Sequence, residues 1–247
     1  MARCNGSMNP FVTSHAVNFA SGHTQSWNRT WLTLLLAACA MFAGCATQAH
    51  HAGVLTPDYQ PENIFTYAHL PSNFQRVAVL PLAYEAPRAD LPEGCEALTP
   101  VLLTEVAKTK KFEVVSVNSD MLRSCTGQSG WTGAEVLPAD FFESLRRSYG
   151  CDAVLFCQLT VFHPYAPLAV GWRMKMVDTR TRQILWAADE VFDAGQPSVL
   201  SGARHYQLAE HRASEADDWG IRNSPRQFGQ YAAAQLVARL PGRQKDH

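Results

Sequence analysis

The sequence carries almost no net charge. Its 247 residues include 21 Lys and Arg against 22 Asp and Glu, a formal charge of −1. Proteins that bind nucleic acid through phosphate contacts carry a basic surface, so this balance argues against nucleic acid as a partner. With 47% apolar and 17% charged residues, the chain is also too apolar for an intrinsically disordered protein. A globular domain is therefore expected.

The sequence also lacks the short motifs that mark common catalytic and cofactor sites. It contains no G-x-S-x-G, H-E-x-x-H, G-x-G-x-x-G or Walker sequence. No C-x-x-C pair provides the spacing of a zinc or redox site. We therefore expect a protein that is not an enzyme and holds no cofactor and no metal.

The first 44 residues contain two arginines, Arg3 and Arg29, and no acidic residue. Arg29 precedes the stretch WLTLLLAACAMFAGC at 31–45, whose apolar run of about 13 residues is shorter than the roughly 20 that span a bilayer. A basic start, a short apolar run and small residues before a cut are typical of a secretory signal. We predict that residues 1–44 are removed, with translation starting at Met1 or Met8.

The last four residues of this stretch are more specific than a general signal. Phe42-Ala43-Gly44-Cys45 resembles the bacterial lipobox, whose cysteine is lipidated and becomes the first mature residue. Phe42 stands where that pattern usually has Leu, and a signal anchor with a chance Gly-Cys pair is the alternative. Ala46 follows the cysteine, where an Asp would retain the protein in the inner membrane. The resemblance therefore implies an outer-membrane lipoprotein that faces the periplasm and is held by acyl chains on Cys45.

The mature chain divides into three parts by composition. Residues 45–75 are small, polar and rich in proline, and we predict a tether followed by an extended arm. Residues 76–241 form the predicted folded domain, and 242–247 form a tail. Without residues 1–44, the chain has 19 basic and 22 acidic residues, a net charge of only −3.

Four cysteines remain after Cys45 in the mature chain. Cys151 and Cys157 lie at and within one predicted strand, about 20 Å apart, so they cannot form a disulfide with each other. Cys95–Cys125 is the best candidate for a disulfide. The alternative is four free thiols, because a cysteine often serves as a small hydrophobic residue.

Hydrophobic periodicity predicts an alternation of strands and helices. Predicted strands span 76–82, 112–117, 152–162, 168–177 and 183–192; predicted helices span 93–110, 138–149 and 225–240, with a short one at 120–123. Residues 193–223 are predicted to be irregular or partly helical, and mobile. The order β-α-β-α-β-β-β-α predicts an α/β sandwich with a mixed sheet and packed helices. The predicted core residues are Val79, Leu102, Val115, Leu145, Leu155, Leu159 and Leu236.

Four phrases in order resemble the CsgG-like envelope lipoproteins, and also the TolB N-terminal domain and the LpoB-like lipoproteins. They are VAVLPL at 77–82, KFEVVS at 111–116, YGCDAVL at 149–155 and MVDTRTRQILW at 176–186. In the last phrase, Arg182 stands where the family's turn usually has Gly. The resemblance covers roughly residues 76–240. It implies a periplasmic α/β domain that acts as a non-enzymatic protein-binding or assembly module.

The chain departs from the pore-forming members of that family. The pore-forming members insert a long amphipathic hairpin at a position where this chain has only residues 163–167. A second pore hairpin would fall in residues 193–223, but residues 201–212 do not alternate between apolar and polar side chains. We therefore expect the periplasmic domain without the pore hairpins.

The expected partner is an envelope protein, and self-association into a homo-oligomer is an open alternative. We predict that the partner docks on the outer strand of the sheet and on the segment at 193–223. Tyr206 and Trp219 would be aromatic anchors, because aromatic residues are enriched at binding hot spots. The alternative function is an envelope enzyme or small-ligand-binding protein, which a pocket with converging polar groups would favour.

Two pairs of histidines are the remaining candidates for a metal site. His205 and His211 are six residues apart and miss the i, i+4 spacing of a helical metal site, even with Glu210 nearby. We interpret them as solvated side chains. His50 and His51 would form a weak surface site at best.

Overall fold

The computed structural model describes residues 58–67, 69–71, 74–85, 90–211 and 218–243, without the side chains of residues 211, 218 and 219. The predicted signal peptide, Cys45, His50 and His51 lie outside the described residues. Within those residues, no helix has both the length and the hydropathy of a membrane span.

The centre of the fold is a six-stranded mixed sheet with the order β1-β6-β5-β4-β2-β3. Strand β2 pairs in parallel with β3 and β4. The other neighbouring pairs, β4–β5, β5–β6 and β6–β1, are antiparallel. The strands are β1 Ile64–Thr66, β2 Arg76–Val79, β3 Glu113–Ser116, β4 Ala153–His163, β5 Ala169–Asp178 and β6 Ile184–Asp193.

Six helices surround the sheet in the described part of the chain. Local sequence explains several of their ends: the Asn118 side chain accepts a hydrogen bond from the Asp120 N–H, and Gly150 ends a helix with φ of 60°. The helices are α1 Leu91–Lys108, α2 Ser119–Thr126, α3 Phe141–Tyr149, α4 Pro197–His211, α5 Asp218–Asn223 and α6 Pro225–Val237.

Each face of the sheet packs against its own core. Strand β4 contributes to both: Leu155 and Leu159 belong to one core, and Val154 and Phe156 belong to the other. This explains why the strand is apolar at consecutive positions. Helices α1, α4, α5 and α6 contribute buried residues to the first core, and α2 and α3 contribute to the second. We call the corresponding sides of the sheet the first face and the second face.

The mixed α/β class and the predicted strands and helices are confirmed. Six of the seven predicted core residues are buried, but Val115 is only half-buried. The reason is that β3 is an edge strand, which has a neighbour on one side only. Leu145 lies in the second core, on the opposite side of the sheet from Leu102 and Leu236.

The segment at 193–223 is partly helical, as predicted, with α4 at Pro197–His211 and α5 at Asp218–Asn223. Helix α4 buries Val199 and Ala203 completely in the first core. The expectation of a mobile segment is therefore wrong for the residues of α4. The stripe that packs inward is short and built of small side chains, so it is weak as a sequence signal.

The predicted arm is part of the folded unit. Strand β1 pairs with β6 at the outer edge of the sheet, and the ring of Tyr59 meets that of Phe192 edge-on at 5.4 Å. Leu70 is fully buried, and its N–H donates to the Gly242 carbonyl at 2.9 Å. The arm and residue 242 of the predicted tail thus pack together.

Candidate functional site

Tyr206, one of the two predicted aromatic anchors, is half-buried on α4. Its ring centroid lies 5.9 Å from that of Tyr231 on α6, and its hydroxyl donates to Oε2 of Glu105 on α1 at 3.4 Å. Tyr206 therefore joins three helices. The side chain of Trp219, the other predicted anchor, lies outside the described side chains.

The outer side of Tyr206 borders a groove of about 380 Å³ between α1, α4 and α6, which we call the Glu105 groove. Glu105 is only 3% exposed. Its Oε1 accepts hydrogen bonds from Lys108 Nζ and Gln230 Nε2, each at 2.8 Å. Lys108 also contacts Glu210 of α4 at 3.0 Å. A buried carboxylate needs such partners, so these contacts tie α4 and α6 to α1.

Protonation in the Glu105 groove follows from these contacts. The hydrogen bond to Glu105 raises the pKa of Lys108, which keeps the lysine charged. Burial, followed by the charge of Glu105, raises the pKa of Tyr206 to about 12. Burial lowers the pKa of Lys111, whose ammonium donates to the carbonyls of Ala238 and Leu240. The groove is therefore a network of satisfied ion pairs and hydrogen bonds that holds helices together.

A second feature lies on the second face of the sheet, beyond the area covered by α2 and α3. Lys175 marks the border, because its Nζ donates to the Gly133 carbonyl in the loop before α3. Among the described residues, no helix covers the part of this face formed by β5, β6 and β1. We call this area the open sheet face. The strand register places on it the side chains of Phe65, Arg173, Ala187, Asp189 and Val191, beside Gly171.

The open sheet face has a charged centre and apolar flanks. Arg173 Nε donates to Asp189 Oδ2 at 2.7 Å, and its Nη1 lies 3.5 Å from Glu85 Oε1. On one side of this pair Phe65 is 52% exposed, and on the other side Val191 is 42% exposed. Protein-binding surfaces are enriched in aromatic residues and arginine, and the open sheet face has this composition.

The structure corrects the predicted disulfide. Cys95 and Cys125 are both free thiols. Cys95 belongs to the first core on α1, whereas Cys125 lies on α2, which packs on the second face, and its sulfur is 3.6 Å from Ser148 Oγ. The sheet separates the two residues. Cys151 and Cys157, which the spacing argument kept apart, are also free.

His205, interpreted from the sequence as a solvated side chain, contacts a carboxylate of the arm. Nδ1 of His205 lies 2.9 Å from Oδ1 of Asp58, which ties the arm to α4. Glu210 contacts Lys108, and the side chain of His211 lies outside the described ones. No group of three His, Cys, Asp or Glu side chains gathers as metal ligands in the described part of the protein.

Sequence reasoning missed both the Glu105 groove and the open sheet face. The open sheet face had a signal: in β5, Trp172, Met174 and Met176 alternate with Arg173 and Lys175, which is the pattern of a strand with one face in water. The signal for the groove was weaker: Glu105 lies beside Leu102 and Val106 on the apolar stripe of α1. A charge beside a stripe is usually solvated, so burial was not predicted.

Comparisons with known proteins show limited similarity. No family model matches the chain, and no curated protein matches it. The resemblance to the CsgG-like lipoproteins therefore stays a prediction. Among solved structures, a dodecamer of PelC from Paraburkholderia phytofirmans is similar at 13% identity and a TM-score of 0.44, over 73% of this chain and 96% of that one.

Two further solved structures show a weaker similarity. Lipoprotein GNA1162 from Neisseria meningitidis is 23% identical with a TM-score of 0.34, over 56% of this chain and 99% of that one. The C-terminal domain of LpoB from Escherichia coli is 19% identical with a TM-score of 0.31, over 47% of this chain and 81% of that one. At these TM-scores, function is argued from the chain's own residues.

Proposed function

We propose that this protein is a lipoprotein of the bacterial outer membrane that binds another envelope protein through the open sheet face. It acts as a non-enzymatic binding or assembly module. The observation that carries the proposal is an uncovered half of a sheet with exposed apolar side chains, Phe65 and Val191, around the Arg173–Asp189 pair. Exposed apolar patches rimmed by polar groups mark interaction sites.

The open sheet face is a better candidate for the docking surface than the face predicted from the sequence. The predicted docking face relied on a mobile 193–223 segment, but α4 is packed in the first core. The open sheet face, in contrast, has its backbone already ordered by strand pairing. A binding surface on rigid strands loses little conformational entropy when a partner docks.

Anchoring by Cys45 rests on the lipobox-like sequence Phe42–Cys45. Two or three acyl chains give stable membrane attachment, because each buried CH₂ contributes about 0.8 kcal/mol. The full chain, expressed in a bacterium with an outer membrane, should partition into detergent. The Cys45→Ala variant should stay unprocessed and lose the acyl chains. Normal processing with unchanged detergent partitioning of the variant would contradict lipidation.

The docking surface is tested by site-specific photocrosslinking in intact envelopes. A photoreactive phenylalanine at Val191 or at Phe65 should give the same adduct, which mass spectrometry identifies. The matched controls are Leu208 and Val136, which are exposed apolar residues outside the open sheet face. The same adduct from the control positions, or none from Val191 and Phe65, would rule out this surface.

A disruptive variant separates binding from folding. Val191→Asp adds a second negative charge on the Asp189 side of the pair and should abolish the adduct formed at Phe65. Because Val191 is exposed, the melting temperature of the Val191→Asp variant should stay close to that of the parent protein. An adduct of twice the protein's own mass would identify the partner as a second copy of this chain.

A further inference from the structure

The parallel part of the sheet contains a topological switch point. After β2, the chain leaves through α1 on the first face and enters β3; after β3, it leaves through α2 and α3 on the second face and enters β4. The two connections therefore diverge at the carboxyl ends of β2 and β3. In open α/β sheets, the crevice that such a divergence leaves is the usual place for a ligand.

A cavity of about 230 Å³ lies at this divergence, and we call it the switch crevice. Its walls come from the residues that follow β2, from those that follow β3, and from the middle of α1. The apolar floor consists of Val79, Leu80, Leu102 and Val117, all of which are buried. The crevice belongs neither to the Glu105 groove nor to the open sheet face.

The rim of the switch crevice is polar, and none of the described residues that line it has an ionisable side chain. Ser116, Asn118 and Ser119 line it beside the first turn of α2. Asn118 Oδ1 accepts from the Asp120 N–H at 2.7 Å. Within the described residues, the hydroxyls of Ser116 and Ser119 make no hydrogen bond, so they are available to a ligand.

We infer that the switch crevice binds a small uncharged molecule with an apolar body and an amide or hydroxyl group. The apolar body lies on the floor formed by Val79 and Leu102, and its polar group bonds with Ser116 and Ser119. A charged molecule of the same shape is disfavoured, because its charge would lose water on entering the crevice and would meet no opposite charge among the described lining residues. This binding activity goes beyond the protein-binding function proposed above.

The test uses three probes of one shape and different charge: benzamide, benzoate and benzamidine. Each is titrated into the ¹⁵N-labelled mature protein with Cys45→Ser, and amide shifts are followed by NMR. Benzamide should shift the amides of Leu82, Leu103 and Ser119 and bind at least about tenfold more tightly than either charged probe. Equal binding of all three probes, or no shift at these amides, would overturn the proposal.

Two variants keep the result tied to the switch crevice. Ser119→Trp places an indole at its mouth on an exposed position of α2 and should weaken benzamide binding by at least about tenfold. Ser124→Trp, exposed on the same helix and outside the lining, is the matched control and should leave binding unchanged. Ser116→Ala removes one hydroxyl and should weaken binding several-fold. If Ser119→Trp binds benzamide as the parent does, the ligand lies elsewhere and the proposal fails.

Discussion

Gly94 of α1 lies directly against the ring of Phe162 on β4. A methyl group added at Gly94 would stand 2.6 Å from Cγ of Phe162 and 2.7 Å from Cδ2 of Leu159, closer than side-chain carbons normally approach. The absence of a side chain at this position therefore sets how closely α1 packs on the sheet. The same helix carries Glu105 and one wall of the switch crevice, so this contact positions both.

Gly94→Ala should destabilise the protein. Overpacking costs about 1–3 kcal/mol, and the better helix propensity of Ala returns about 1 kcal/mol, so a net loss of up to about 2 kcal/mol is expected. Urea unfolding measures it. Gly130→Ala is the control, since a methyl group there meets no atom within 4 Å. A stability gain in Gly94→Ala would show that α1 can move away from the sheet at little cost.

Leu236→Ala should remove a major contact of α6. Leu236 is fully buried in the first core, and truncating such a residue costs about 2–5 kcal/mol. Leu208→Ala makes the same chemical change at an exposed position of α4 and should cost less than about 0.5 kcal/mol. Thermal and urea denaturation of both variants provide the measurement. An unchanged melting temperature in Leu236→Ala would mean that α6 does not contribute to the core.

Thiol reactivity should single out Cys125. Burial raises the pKa of Cys95 and of Cys151 to about 11, and it raises the pKa of Cys157 further. At pH 8 these thiols are therefore almost entirely protonated and shielded, whereas Cys125 is half-exposed. The folded mature chain with Cys45→Ser should show one fast thiol with a chromogenic disulfide reagent, and Cys125→Ser should remove it.

The same titration in denaturant tests the corrected disulfide. Four thiols should react without reductant, one for each of Cys95, Cys125, Cys151 and Cys157. Only two reactive thiols would show that a disulfide had formed in the purified protein.

Alkaline pH should weaken the contact between Tyr206 and Glu105. Burial raises the pKa of Tyr206 from 10.0 to about 12, so the folded state favours the neutral phenol. Its contribution to stability is full below pH 10 and is lost as pH rises towards 12. Tyr206→Phe should lower the free energy of unfolding at pH 7 by about 1 kcal/mol and reduce the loss of stability between pH 10 and 12.

Tyr67→Phe is the matched control for this measurement. Tyr67 is exposed on the arm, so the substitution should leave the free energy of unfolding at pH 7 unchanged. An unfolding free energy of Tyr206→Phe that depends on pH as steeply as that of the parent would assign the alkaline loss to other groups. Tyr59 and Tyr231 are the main candidates, since burial raises the pKa of each.

Local chemistry in the sequence determined the order of most secondary structure. Asn118, Ser224 and Gly150 mark helix ends through short-range hydrogen bonds or backbone conformation, so they can be recognised without the fold. The apolar runs of β2 and β4 likewise show that these strands are covered on both faces. The sequence predicts Tyr206 as an aromatic anchor for a partner. In the structure it lines the Glu105 groove, whose buried carboxylate the sequence does not indicate.

Only the tertiary structure decided which elements are neighbours. The apolar runs of β2 and β3 look alike, yet the sheet order makes β3 an edge and leaves Val115 half-buried. The same long-range order puts Cys95 and Cys125 on opposite faces and opens the switch crevice between β2 and β3. Strand pairing and face assignment depend on contacts between residues far apart in the chain, and local periodicity carries no information about them.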